Sequence, residues 1–130
     1  MAIISATRLR LRSLRYLPAF LEYAVLRESQ AKLAPSNIHT TTRAQTKTVF
    51  WTLTAWDNES SMRAYMLAGT HREAMPKLVE WCDEAPVVHW NQNSPELPSC
   101  EVAEQWMTEY GNFGPLKYPS EAHRQQRFSL

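Results

Sequence analysis

The sequence predicts an α+β protein in which a four-stranded antiparallel sheet carries helices on one face. Two observations lead there. One segment alternates apolar and basic residues with period two, three more read as strands, and apolar residues recur at helical spacing between them, in the order strand, helix, strand, strand, two short helices, strand. One long helix and one broken helical segment are enough to cover one sheet face, which is the ferredoxin-like arrangement.

Residues 3 to 13 read as the first strand, because Thr7-Arg8-Leu9-Arg10-Leu11-Arg12 separates an apolar from a basic face only if extended. Pro18 suits the first turn of a helix whose stripe is Leu17, Phe20, Leu21, Ala24 and Val25, with Pro35 stopping it. Residues 37 to 44 and 48 to 56 form an antiparallel hairpin through Gln45-Thr46-Lys47. Asp57 or Asn58 caps a helix aligning Met62, Tyr65, Met66 and Gly69, and Gly69 suits its end. Thr70-x-x-Glu73 is a capping box for the next helix, with Leu78, Val79, Trp81 and Cys82 as its apolar positions. Pro86 then precedes a short strand at 87 to 91.

The second sheet face needs its own cover. Phe50 and Trp51 are neighbours on one strand and must point to opposite sides, so Phe50, Trp51, Trp56 and Trp90 cannot all face the helices. Two sheets meeting face to face in a homodimer would bury the remainder, giving a dimeric α/β barrel. This domain spans residues 1–92. Residues 93–130 read as a C-terminal extension: a linker at 93 to 98, one short helix with Val102, Ala103, Trp106, Met107 and Tyr110 on a face and Gly111 at its end, and an extended tail in which His123 has no supporting pattern.

Composition narrows the function classes. A net charge of +1 hides an Arg-rich start (Arg8, Arg10, Arg12, Arg15) and an acidic region from Glu80 to Glu109. The arginines either pair with those acids or bind an anion, since charge on a covered sheet face must be paired or wetted. The strand periodicity argues against a transit peptide, and the apolar core and cleavage site of a signal peptide are missing. No apolar run approaches the roughly 20 residues of a membrane span. No motif interleaves basic and aromatic residues for nucleic acid. Cys82 and Cys100 are too few for a disulfide framework and read as free thiols in a reducing cytoplasm. No metal-binding spacing occurs.

His71 is the candidate catalytic residue. It stands in the first turn of a helix, where exposed N–H groups disfavour added positive charge and leave the imidazole neutral, able to accept a proton or simply to bond the preceding loop. Met75, one turn on, is a core filler or, less naturally, a second metal ligand. Trp51, Trp56, Tyr65 and Trp90 are candidate pocket walls. His39 and His89, on the second and fourth strands, either line the same cavity or hydrogen-bond within an interface.

The path from Phe50-Trp51-Thr52-Leu53-Thr54-Ala55-Trp56 through Met62-Arg63-Ala64-Tyr65 to Gly69-Thr70-His71-Arg72 resembles the antibiotic-biosynthesis-monooxygenase-like group of dimeric α/β-barrel proteins. It is similar to small uncharacterised members, and more faintly to spheroidene monooxygenase, over about residues 3 to 92. The resemblance implies a homodimer of ferredoxin-like protomers, each with a pocket between sheet and helices. The group includes cofactor-independent oxygenases, haem-degrading and haem-binding proteins, and members without a known reaction. The Asn and Trp pairing of haem-degrading members is not found in matching positions.

Two functions share these features. One is a monooxygenase-like oxidoreductase that takes a small apolar or aromatic compound into the pocket, with His71 as acid/base or orienting group. An apolar site shields an activated substrate from water while oxygen reacts, so neither metal, haem nor flavin is required by the sequence. The other is a non-catalytic ligand-binding or assembly dimer in which the same aromatics are core.

Overall fold

The computed structural model describes residues 2–34, 36–66 and 69–128, the side chains of 66–74 excepted. Strand β1 (Ala2–Leu11) leads through a 3-10 turn at Leu14–Tyr16 into helix α1 (Leu17–Leu33). The hairpin β2 (Asn37–Ala44) and β3 (Val49–Trp56) follows, then α2 (Glu59–Met66) and α3 (Gly69–Trp81). Strands β4 (Cys82–Glu84) and β5 (Val87–Gln92), helix α4 (Cys100–Tyr110) and a short α5 (Glu121–Arg124) complete the chain. Asn58 caps α2 by accepting from the Ser61 amide at 2.8 Å. Gly69 opens α3 rather than ending α2.

The sheet is antiparallel throughout, in the order β2-β3-β1, with β4 and β5 both pairing on the outer side of β1. The expected fourth strand at 87 to 91 is β5, whereas β4 is an additional piece that begins at Cys82, a residue expected in the preceding helix. Ala85-Pro86 separates the pieces, and Pro86, lacking an N–H, enters the ladder only as acceptor, from the Arg8 amide at 3.1 Å. A register irregularity between Arg10 and Leu11 marks the break on β1.

Helices α1 and α3 pack on one sheet face, joining Phe20 and Leu78 to Leu9, Leu11, Phe50 and Cys82. At the far end of that face Trp56 meets Ala31 of α1 and Met62 and Tyr65 of α2. The side of α1 that packs differs from the expected stripe: Phe20, Arg27 and Ala31 are buried, while Leu21, Val25, Leu26 and Leu33 are exposed. Apolar residues occur on both sides of α1, and the packed side holds an arginine that hydrophobic periodicity passes over.

On the other face Ile4, Ala6, Trp51, Leu53, Ala55, Val88 and Trp90 cluster with Ala103 and Met107 of α4. The cover assigned to a partner's sheet is thus supplied from within the chain. Gly111 closes α4 because a Cβ there would lie 2.4 Å from the Met107 carbonyl oxygen.

Residues beyond Gly111 are not simply an extended tail. Asn112 bridges to Val87, the Lys117 amide donates to Val79 O and the Ser120 amide to Asp83 O. Ser120 caps α5, and His123, buried, places Nε2 2.7 Å from Gly114 O. The basic strand and the acidic region do pair. Arg8 donates to Glu84 at 2.8 Å, Arg10 to Glu84 at 3.2 Å, and the Ser120 hydroxyl to Glu84 at 2.7 Å. The Arg8 guanidinium also lies over the Phe128 ring, 4.8 Å from its centroid.

Candidate functional site

The helix-facing side of the sheet is not uniformly apolar. Strand alternation brings Ile3, Ser5, Thr7, Leu9 and Leu11 of β1 to this face, and Phe50, Thr52, Thr54 and Trp56 of β3. The register sets Ser5 opposite Thr54 and Thr7 opposite Thr52. A row of hydroxyls therefore crosses the middle of the face, with apolar clusters at both ends. Thr54 accepts from Trp56 Nε1 at 2.8 Å. No side-chain hydrogen bond from Ser5, Thr7 or Thr52 is found among the described residues.

Arg27 of α1 lies over this row. It is 6% exposed, and no carboxylate pairs with it among the described residues. The Tyr65 hydroxyl donates to the Arg27 carbonyl oxygen at 3.3 Å, and Arg27 Nε has no partner. Burial raises the Tyr65 pKa above its ordinary value, against the opposing pull of Arg27, so the phenol stays neutral. Burial, reinforced by Asp83, pushes the Cys82 thiol up to about 12 despite Arg27. Neither neighbour supplies a counter-charge at neutral pH.

Two spaces have Arg27 in their lining. The larger, of about 290 Å³, lies between the sheet and the helices, lined by Thr7, Leu9, Arg27, Met75, Leu78 and Val87 and, from the C-terminal segment, by Asn112 and 114–116. The smaller holds about 20 Å³, roughly one water, among Ser5, Thr7, Thr52, Thr54, Trp56 and Tyr65. Thr7 and Arg27 line both. The arrangement can hold a compact apolar body against Leu9, Leu78 and Val87 and a polar group against Arg27 and the hydroxyls.

The expected site residues divide. Trp56 and Tyr65 wall the smaller space, their ring centroids 5.2 Å apart. Trp51 and Trp90 do not wall it: they lie on the opposite sheet face under α4, because their strand positions have the other parity. His39 is exposed on the edge strand β2 and lines neither space. His89 stands beside Ser5 on the helix-facing side, half-buried, with Nε2 unpartnered. Its pKa is lowered by burial and by Arg63, partly offset by Glu59. His71 falls within α3, but its side chain lies outside the described residues. Among the described residues no histidine or cysteine lines either space, and no group of three or more His, Cys, Asp or Glu side chains is placed to hold a metal ion.

Sequence reasoning missed Arg27 and the hydroxyl row. The signal was present in Ser5-x-Thr7 and Thr52-x-Thr54, polar pairs at one parity in strands otherwise apolar at that parity.

A ferredoxin-like body with a cavity between its sheet and helices defines the class, and the fold is that of antibiotic-biosynthesis-monooxygenase-like proteins. A protein from Nitrosomonas europaea assigned to the antibiotic biosynthesis monooxygenases superposes with TM-score 0.65 at 15% identity, over 72% of this chain and 92% of its own. SnoaB, a cofactor-independent oxygenase from Streptomyces nogalater, gives TM-score 0.60 at 9% identity over 75% and 98%. A conserved protein from Methanosarcina mazei Go1 gives 0.64 at 14% over 72% and 94%. No family model and no curated protein matches the sequence. Among the described residues no helix is long and apolar enough to cross a membrane.

Proposed function

We propose that this chain is a monooxygenase-like oxidoreductase acting on a small apolar or aromatic compound held between the sheet and α1 and α3. The observation carrying this reading is the cavity of about 290 Å³, apolar along Leu9, Leu78 and Val87 and polar at one end. Naming of structural neighbours as monooxygenases or an oxygenase supports it. In such a site a base takes a proton from an activated CH2 carbon and the carbanion passes electrons to dioxygen. One oxygen atom stays as the new carbonyl and the other leaves with the two hydrogens as water. His71, in the first turn of α3, is the base we assign. Oxygen uptake with a polycyclic aromatic carrying an acidic methylene tests this. His71→Ala is expected to abolish turnover without shifting the melting temperature, and turnover at the full rate in that variant would remove the assignment.

A second reading, an assembly homodimer without catalysis, is favoured by the exposed Leu21, Val25 and Leu26 on the outer side of α1. Light scattering at micromolar concentration should then give twice the chain mass, falling to the monomer in Leu21→Glu/Val25→Glu. A wild-type monomer would exclude it.

A further inference from the structure

Arg27 is a buried cation facing a cavity, and no acid is found beside it among the described residues. Burying a charge without a counter-charge is costly, and an incoming anion would offset that cost. Arginine is also the side chain whose planar fork matches a carboxylate with two parallel hydrogen bonds. Nε, one edge of that fork, has no partner. Thr7, which lines both spaces with Arg27 and makes no side-chain hydrogen bond among the described residues, can donate its hydroxyl to a remaining lone pair of an anion. The rest of the cavity, along Leu9, Leu78 and Val87, offers an ion nothing and an apolar ring a great deal.

We propose that the cavity takes a compact aromatic or alicyclic carboxylate, its carboxylate held by Arg27 and the Thr7 hydroxyl, its ring against Leu9, Leu78 and Val87. This rests on the reading of the cavity as a ligand site and narrows what the site accepts. A carboxylate arrives ionised at neutral pH, whereas a phenol would have to lose its proton on binding at a thermodynamic cost. The ligand completes the charge balance of the fold, so binding and folding stability are linked through one residue.

The test is titration calorimetry of the full chain at pH 7 with 2-naphthoate, 2-naphthamide and 2-naphthol. These share one ring system and differ in the oxygen function. The proposal expects naphthoate to bind at least tenfold more tightly than either neutral probe. Arg27→Met should remove that preference while keeping naphthamide binding, and Arg27→Lys, which keeps the charge but not the fork, should fall between. Without ligand, Arg27→Met should melt higher than wild type, and added naphthoate should raise the melting temperature of wild type only. Equal binding of the three probes to the wild type would overturn the carboxylate assignment and leave the apolar site intact, and this comparison needs no variant. Failure of all three to bind would overturn the ligand site itself and the assignment with it.

Discussion

Trp106 of α4 stacks on Trp90 of β5, with ring centroids 4.9 Å apart and planes 2° from parallel. Together with Ala103 and Met107 this contact makes the C-terminal segment part of the core on the second sheet face. Trp106→Ala is expected to cost about 2 kcal/mol, from lost apolar burial and lost ring stacking. Urea denaturation measures it directly. Removing residues 93–130 should have a larger effect, since Trp51, Val88 and Trp90 would be uncovered together. We expect self-association or failure to fold, read by size-exclusion with light scattering. A monomer with an unchanged urea midpoint would show that α4 contributes nothing to the sheet.

The strand and helix order was legible because it rests on apolar periodicity, which tertiary context seldom reverses. Residues 37 to 44 illustrate this, the β2 boundaries agreeing with those read from the sequence. The packing partners were less so. Both α1 faces carry apolar side chains, and only the three-dimensional position of Phe20 and Ala31 decides which turns inward. The cover of the second sheet face could come from another subunit or from the chain's own next helix, and periodicity alone does not distinguish them. Arg27 was invisible for a related reason: a polar residue on a helix is assumed to face water until a cavity is found beneath it.

The ion pair of Arg8 and Glu84 joins β1 to β4, and the Ser120 hydroxyl ties the C-terminal segment to the same carboxylate. The Arg8 and Glu84 side chains are 3% and 0% exposed, so neutralising Glu84 takes from the buried Arg8 the carboxylate 2.8 Å away. Glu84→Gln should cost about 3 to 5 kcal/mol. The double variant Arg8→Met/Glu84→Leu should recover much of that loss, because an apolar pair of similar volume avoids the desolvation penalty. A double variant as unstable as the single one would mean that the network sets the sheet edge through geometry rather than charge.

The two cysteines should differ in reactivity. Cys82 lies in the core under α1 and α3, its thiol pushed up to about 12, whereas Cys100 is half-buried on the other side of the sheet. The thiolate is the reactive form, so native protein should titrate rapidly with Ellman's reagent at one thiol, lost in Cys100→Ser. The second should react only on unfolding. Their location on opposite sheet faces also keeps them from pairing without disrupting the fold. Two fast thiols in the native protein would contradict the packing around Cys82.

His89 gives the fold a pH dependence whose sign follows from its surroundings. Burial lowers its pKa below the ordinary 6.5, Arg63 of α2 lowers it further, and Glu59 of α2 partly offsets both. A histidine depressed in the folded state binds protons more weakly there than in the unfolded chain. Its contribution to stability is therefore complete above about pH 6.5 and is lost as pH falls from there through the depressed folded value. Asp83 works in the opposite sense: burial raises its pKa above 3.8, so its contribution is present below that value and lost as pH rises through the raised one. Between pH 7.5 and the region just below pH 6.5 the histidine is thus expected to dominate, with the melting temperature falling as the buffer is acidified. His89→Gln removes the titrating group and should flatten that slope. An Arg63→Gln variant, by removing the nearby cation, should shift the falling limb to lower stability loss at the same pH. Identical slopes in wild type and His89→Gln would place the acid sensitivity elsewhere in the molecule.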